Sequence, residues 1–185
     1  MKTPPDPLPA AIRRIAVVGT TGSGKSMLAE NIAQRLHIPH FELDAFHWKP
    51  NWTEAPRDAT RQRVEAFTRT EAWVTDGNYG FLRDTIWPRL QAVVWLDYPL
   101  PVILWQLWWR TWRRVIKKEF LWGTNYERFW PQFFSKDSIF PWALTTYKRR
   151  KQTYAALLSA PEYASLIVKH FRSPAETEAG MRSWT

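Results

Sequence analysis

Residues 13–36 read RRIAVVGTTGSGKSMLAENIAQRL, and their reading decides the architecture. An apolar run ends at Val18, small residues run from Gly19 to Gly24, and a Lys-Ser pair then opens an amphipathic stretch. The segment GTTGSGKS, Gly19 to Ser26, fits the spacing G-x-x-x-x-G-K-[ST]. Glycines let successive N–H groups converge on phosphate oxygens without interference from Cβ atoms. A helix after them adds its unpaired N-terminal donors and the positive end of its dipole. The strand–loop–helix context is present: RIAVV precedes the loop, and Leu28, Ile32 and Leu36 mark a helix after it. The stretch is therefore a phosphate-binding P-loop, with Gly19, Thr20, Thr21, Gly22, Ser23, Gly24, Lys25, Ser26 and Met27 as its nucleotide contacts. Lys25 is expected to reach the β- and γ-phosphates of ATP, and the Ser26 hydroxyl to hold Mg²⁺. Met27 stands where a second Thr commonly follows, so one hydroxyl near the α-phosphate is missing.

Outward from this loop, short apolar runs alternate with helical patterns. Strands are predicted at 14–18, 40–43, 72–75, 92–96 and 166–169. Helices are predicted at 25–36, 56–70, 81–90, 102–118, 142–158 and 175–183. Strands separated by helices imply right-handed βαβ units and a parallel sheet covered on both faces. The expectation is one three-layer α/β domain over residues 13–185, with a lid-like insertion at about 103–151 and an aromatic excursion at 119–141. The start of the chain, MKTPPDPLPA, carries four prolines in ten residues and reads as a disordered tail over residues 1–12. With 185 residues, 45% of them apolar, the chain can bury a substantial core. It has no cysteine, which excludes disulfides and thiolate metal sites and suits a cytoplasmic location. The stretch YPLPVILWQLWW (98–109) is too short to cross a hydrocarbon core about 30 Å thick.

Charge is unevenly spread. Of the net +9, residues 103–151 carry +8, from eleven Lys or Arg and three acids, so an anionic partner is expected there. Within 102–118, Trp105, Trp108, Trp109, Trp112, Val115 and Ile116 keep the i, i+3, i+4 rhythm of a buried face. They read as core in preference to a base-stacking platform. Arg110, Arg113, Arg114, Lys117 and Lys118 form a second stripe about 140° away. This stripe is either a solvated face or, with YKRRK (147–151), part of a lid whose arginines neutralise a transferring phosphoryl group.

Two carboxylates stand at predicted strand ends, where open α/β sheets bind ligands. Asp44, in HFELDAFHW, either accepts a proton from or anchors an acceptor hydroxyl, or caps the next turn. Asp76, in WVTDGNYGFLRD, either holds the Mg²⁺ water shell or belongs to a plain tight turn. Arg83 either clamps an anionic group of the acceptor or makes a surface salt bridge. His47, beside Trp48, reads as packing. Trp48, Trp52, Trp122 and Trp130 fall in loops, lining an acceptor pocket or covering the sheet.

Taken with the P-loop, FELDAFHWKPNW, WVTDGNY, VVWLDYP and RTWRRV resemble the adenylate kinase-like P-loop proteins of the group labelled DNA topology modulation protein. The resemblance runs from about Arg13 to Pro174. It implies the P-loop NTPase fold with a five-stranded parallel sheet, an acceptor region after the second strand, and an arginine-bearing lid. It also implies Asp76 near Mg²⁺ and Arg172 near the nucleotide base. Adenylate kinases carry Phe-Pro-Arg after that Asp-Gly, where this chain has Asn78-Tyr79-Gly80. The expected activity is transfer of the γ-phosphoryl of ATP to a small-molecule acceptor. A nucleotide-dependent nucleic-acid-binding or regulatory protein is the alternative, grounded in the basic aromatic segment. A membrane-surface role matches the composition without the length or lipidation signals, and no membrane partner is expected.

Overall fold

The structure is a computed structural model and describes residues 9, 11–117, 120–121, 125–126, 139–182 and 184. Most of the expected tail, most of the 119–141 excursion, and Trp122 and Trp130 lie outside the described residues.

Five strands form one sheet: β1 (Arg14–Gly19), β2 (His40–Glu42), β3 (Trp73–Asp76), β4 (Ala92–Leu96) and β5 (Ile167–Phe171). Their spatial order is β2-β3-β1-β4-β5, and every pairing is parallel. The three inner strands are buried almost throughout, as a sheet covered on both faces requires. Alternation along β1 sends Ile15 and Val17 to one face and Ala16 and Val18 to the other. On the first face they meet Leu28, Ala29 and Ile32 of α1 (Lys25–Leu36). On the second they meet Val64 and Phe67, which belong to the helix at Arg57–Thr68.

The parallel register aligns the carboxyl ends of the strands. Asp76 lies beside Val17 on one side and Glu42 on the other, and Gly19 lies beside Leu96. Side chains borne at these ends therefore gather on one rim of the sheet.

Three local expectations are corrected. The second strand ends at Glu42, and Asp44 lies inside a short helix, α2 (Leu43–His47), that the sequence pattern did not show. The helix at Arg57–Thr68 is α3. The helix expected at 81–90 is reduced to α4 (Arg83–Ile86), flanked by 3₁₀ turns at Gly80–Leu82 and Trp87–Arg89. Pro88 lacks the N–H that a continued α-helix would use, and the chain passes through it as a 3₁₀ turn.

The third correction concerns α5 (Leu100–Lys117), which packs against α6 (Ile139–Leu158). The tryptophan stripe of α5 does not face the core. Trp105, Trp109 and Ile116 are 67%, 59% and 62% exposed, and Trp108 and Trp112 are 41% and 44% exposed. The buried positions are Ile103, Leu107 and Thr111. Periodicity had identified an apolar face correctly; it carries no information about which side the rest of the chain covers. The chain described here closes with α7 (Pro174–Arg182), whose Met181 packs with Phe171 of β5.

Ile32 is fully buried between α1 and the sheet, whereas Met27 on the same helix is 69% exposed. Ile32→Ala is expected to destabilise the protein by about 2–5 kcal/mol, and Met27→Ala by about 0.5 kcal/mol or less. Denaturant unfolding of the two variants beside the parent checks the contrast.

Candidate functional site

The loop between β1 and α1 holds its shape through backbone geometry that side chains would spoil. Gly19 has φ 152°, and a Cβ there would lie 2.6 Å from the Leu96 carbonyl oxygen of the adjoining strand. Gly22 has φ 83°, and a Cβ there would lie 3.1 Å from both the Ile103 carbonyl oxygen and Leu107 Cβ of α5. The loop is thus wedged between the sheet and α5. The Ser23 N–H donates to the Thr20 carbonyl at 3.1 Å. The buried Ser23 Oγ has no hydrogen-bond partner among the described residues, although buried hydroxyls are nearly always paired. A phosphate oxygen at the loop would complete it, so the residues present fit the group that the loop's sequence implies.

Lys25 and Ser26 open α1. Lys25 Nζ donates to the Thr20 carbonyl at 3.3 Å. Its pKa is lowered to about 8, chiefly by burial; Asp76 and Asp44 act to raise it, and Arg150 and Arg110 to lower it. These four charges therefore lie within electrostatic reach of one ammonium group. Ser26 Oγ donates to Asp76 Oδ2 at 2.6 Å and approaches Glu42 Oε1 at 3.4 Å. Asp76 is buried, and its other oxygen, Oδ1, lies 2.7 Å from His40 Nε2. Ser26, Asp76 and Glu42 thus offer oxygens at one place beside the loop. This donor set suits a hard divalent cation held jointly with phosphates. Among the described residues, no group of three or more His, Cys, Asp or Glu side chains is disposed to hold a metal unaided.

Beside Asp76 the structure forms an open cleft lined among others by Asp76, Asn78, Tyr79, Arg83 and Tyr154. Asp44 of α2 meets this region through Tyr79, whose hydroxyl donates to Asp44 Oδ1 at 2.5 Å. Burial and the neighbouring carboxylate raise the Tyr79 pKa, so Tyr79 remains the donor and Asp44 the acceptor. The ring of His47 packs 4.7 Å from that of Tyr79, in keeping with the packing role expected of it.

Asn78 joins three elements. Its Nδ2 donates to the Gly19 carbonyl at 2.7 Å, and its Oδ1 accepts from the Tyr154 hydroxyl of α6 at 2.6 Å. Burial raises the Tyr154 pKa to about 12, which keeps its proton in place for that bond. One helical turn before Tyr154 stands Arg150, on which the charges of Tyr154, Asp44 and Tyr79 all act. Arg83, half-buried on the cleft rim, acts on Tyr154 as well.

The structure thus brings together Lys25, Ser26, Asp44, Asp76, Arg83 and Arg110. It does not bring in every residue expected there. Arg113 is exposed on α5, while Arg110 and Arg114 are half-buried. Arg172 is exposed at the end of β5, its backbone N–H bonded to Glu176 Oε2 at 2.8 Å. His40, Glu42, Asn78, Tyr79, Arg150 and Tyr154 were not singled out as site residues from the sequence. HFELD, DGNY and YKRRK carried five of them within the quoted motifs; only tertiary contact gives Tyr154 its place.

Comparison with known proteins bears on the fold. The family model for the ATPase family associated with various cellular activities (AAA) matches residues 15–97, the span from β1 through the end of β4. A shikimate kinase from Acinetobacter baumannii in complex with shikimate aligns over 94% of each chain at 15% identity, with a TM-score of 0.55. A gluconokinase from Sinorhizobium meliloti 1021 aligns over 93% of each chain at 17% identity and a TM-score of 0.51. A sugar kinase from a Janibacter species aligns over 93% of this chain and 92% of its own at 18% identity and a TM-score of 0.50. The fold is therefore that of the P-loop kinases. No curated protein matches the sequence. No helix among the described residues is long and apolar enough to cross a membrane.

The Lys25 pKa sets a pH dependence. Polyphosphate binds the protonated ammonium, so affinity for ATP is expected to be level below about pH 8 and to fall as pH rises through that value. Lys25→Arg keeps its charge, and its affinity should stay level over the same range. Calorimetric titration with Mg-ATP at a series of pH values checks both curves.

Proposed function

We propose that the protein is an ATP-dependent kinase that phosphorylates a hydroxyl of a small molecule bound beside Asp44. The observation that carries this reading is the convergence on Lys25. The ammonium of the P-loop feels Asp76, Asp44, Arg150 and Arg110 at once, so donor-binding, metal-binding and acceptor-binding groups share one rim. The fold shared with kinases of sugars, shikimate and gluconate supports the same class of reaction.

In this reading the loop N–H groups and Lys25 hold the β- and γ-phosphates of ATP. Ser26 and Asp76, with Glu42 near Ser26, would hold Mg²⁺, which supplies charge neutralisation on the phosphates. Tyr79 occupies Asp44 Oδ1 and leaves Oδ2 for the acceptor. The acceptor hydroxyl gives its proton to Asp44 as its oxygen bonds to the γ-phosphorus and the bond to the β-phosphate oxygen breaks, releasing ADP. Arg110 and Arg150 approach from α5 and α6 and offset the charge that the equatorial oxygens carry in the transition state. Arg83 stands on the cleft rim, where it would pair with an anionic substituent of the acceptor. The two helices supply the arginines expected of a lid. The resemblance to the adenylate kinase-like group labelled DNA topology modulation protein fits the donor side of this site. Asn78-Tyr79-Gly80 departs from adenylate kinases on the acceptor side and points to an acceptor other than adenylate.

The nucleic-acid-binding alternative is less well supported. Arg110 and Arg150, which would be needed at a phosphodiester backbone, act on the P-loop lysine.

ADP release from Mg-ATP, measured with pools of hydroxy acids, sugars, nucleosides and nucleotides, tests the proposal. One pool is expected to raise the rate, Lys25→Ala to abolish it, and Asp44→Asn to lower kcat about 10²- to 10⁴-fold while ATP affinity holds. A rate that no pool raises above that of Lys25→Ala would remove the kinase reading.

A further inference from the structure

His40 has no part in the reaction just described, yet its ring ends on the carboxylate at the centre of the site. His40 Nε2 lies 2.7 Å from Asp76 Oδ1, and the Asp76 side chain is 3% exposed. A carboxylate accepts hydrogen bonds and donates none, so the imidazole carries a proton on Nε2 and is the donor. Strand pairing brings the two together. β2 runs beside β3, with His40 next to Val74 and Glu42 next to Asp76. Alternation along β2 sends Phe41 to one face, where its ring stacks 4.4 Å from that of Phe67. His40 and Glu42 are left on the other face, the one that α1 covers. From there Ser26, in the first turn of α1, reaches both Asp76 and Glu42.

We propose that His40 is a positioning residue for the divalent cation: by donating to Oδ1 of Asp76 it keeps Oδ2 turned to Ser26 and the P-loop. The inference rests on the reading that Ser26 and Asp76 hold Mg²⁺. The two oxygens of Asp76 have separate donors, Ser26 Oγ on Oδ2 at 2.6 Å and His40 Nε2 on Oδ1 at 2.7 Å. The carboxylate torsion of an aspartate is broad by itself, and two donors on opposite oxygens narrow it. The Lys25 ammonium attracts the same carboxylate, but a charge alone imposes no such orientation. A hydrogen bond of this kind behind a metal-holding carboxylate fixes the ligand and tunes its hold on the metal. The edge strand has other fastenings and does not need this one. β2 pairs with β3 along His40, Phe41 and Glu42. The Val74 N–H donates to the Pro39 carbonyl at 2.9 Å, and the Thr75 hydroxyl to the Phe41 carbonyl at 2.7 Å.

Calorimetric titration of ATP into the full-length protein, once with Mg²⁺ and once with EDTA, tests this without turnover. The parent is expected to bind ATP more tightly with Mg²⁺, and Asp76→Asn to lose that advantage. His40→Leu removes the donor and should weaken Mg-ATP binding about 10- to 100-fold while metal-free ATP affinity stays at the parent level. His40→Gln sets an amide N–H near the place of Nε2 and should restore most of the Mg²⁺ advantage. His40→Asn is one methylene shorter and should not restore it; it stands in for the Leu variant should that one fail to fold. Parent-level Mg-ATP affinity in His40→Leu or His40→Asn would overturn the proposal. So would a loss that is equal with and without Mg²⁺, the mark of a bond that only fastens β2. If Asp76→Asn loses the advantage and the His40 variants keep it, only the role of His40 falls. If the parent binds ATP alike in Mg²⁺ and EDTA, the metal role of Asp76 falls, and the role of His40 with it.

Discussion

The site described here depends on β1 running through the middle of a parallel sheet and ending in a loop whose Gly19 and Gly22 leave no room for a Cβ. Gly19 leaves the sheet so close to the Leu96 carbonyl that any side chain would collide with it. The strand order puts β3 on one side of β1 and β4 on the other, so the loop emerges where chain connections diverge to the two halves of the sheet. Parallel pairing carries Asp76 and Glu42 to the same rim without any requirement on the helices between them. The Ser26–Asp76 hydrogen bond is the direct consequence: the first turn of α1 and the end of β3 meet because both are placed by β1.

The two helices α5 and α6 give the site its positive side, and the loop itself holds them. Gly22 takes the pressure of Ile103 and Leu107, while Asn78 links the Gly19 carbonyl to Tyr154. These contacts are local and neutral, yet they set where Arg110 and Arg150 stand relative to Lys25. Such positioning suits phosphoryl transfer, where the protein contributes placement and fixed charge more than covalent chemistry.

α5 carries two different surfaces. Its inner side carries Ile103, Leu107 and half-buried Arg110 against the loop, and its outer side carries the indoles. A helix with one polar and one apolar face is ordinarily read with the apolar face inward, and that reading fails here. The interior is already filled by β-strand side chains from Ile15 to Phe171 and by α1, and the site needs cations, not rings, above the P-loop.

Some of this was legible in the amino-acid order alone, because it depends on local chemistry. GTTGSGKS specifies a phosphate loop through glycine conformations and the Lys-Ser pair that follows. Period-two and period-3.6 patterns located the five sheet strands and most helices, α1 at its observed ends. Asp44 and Asp76 could be picked out because both follow predicted strands. What tertiary structure decided is everything that depends on which surfaces meet. Arg150 and Tyr154 are far from the loop in sequence and reach it only because α6 returns across the sheet. Asn78 and Tyr79 read as turn residues until their partners, the Gly19 carbonyl and Asp44, came within hydrogen-bond distance. The tryptophan stripe was visible as a stripe, but its direction was not. A hydrophobic period states that one face of a helix is apolar; only the packing of the remaining chain determines whether that face is covered.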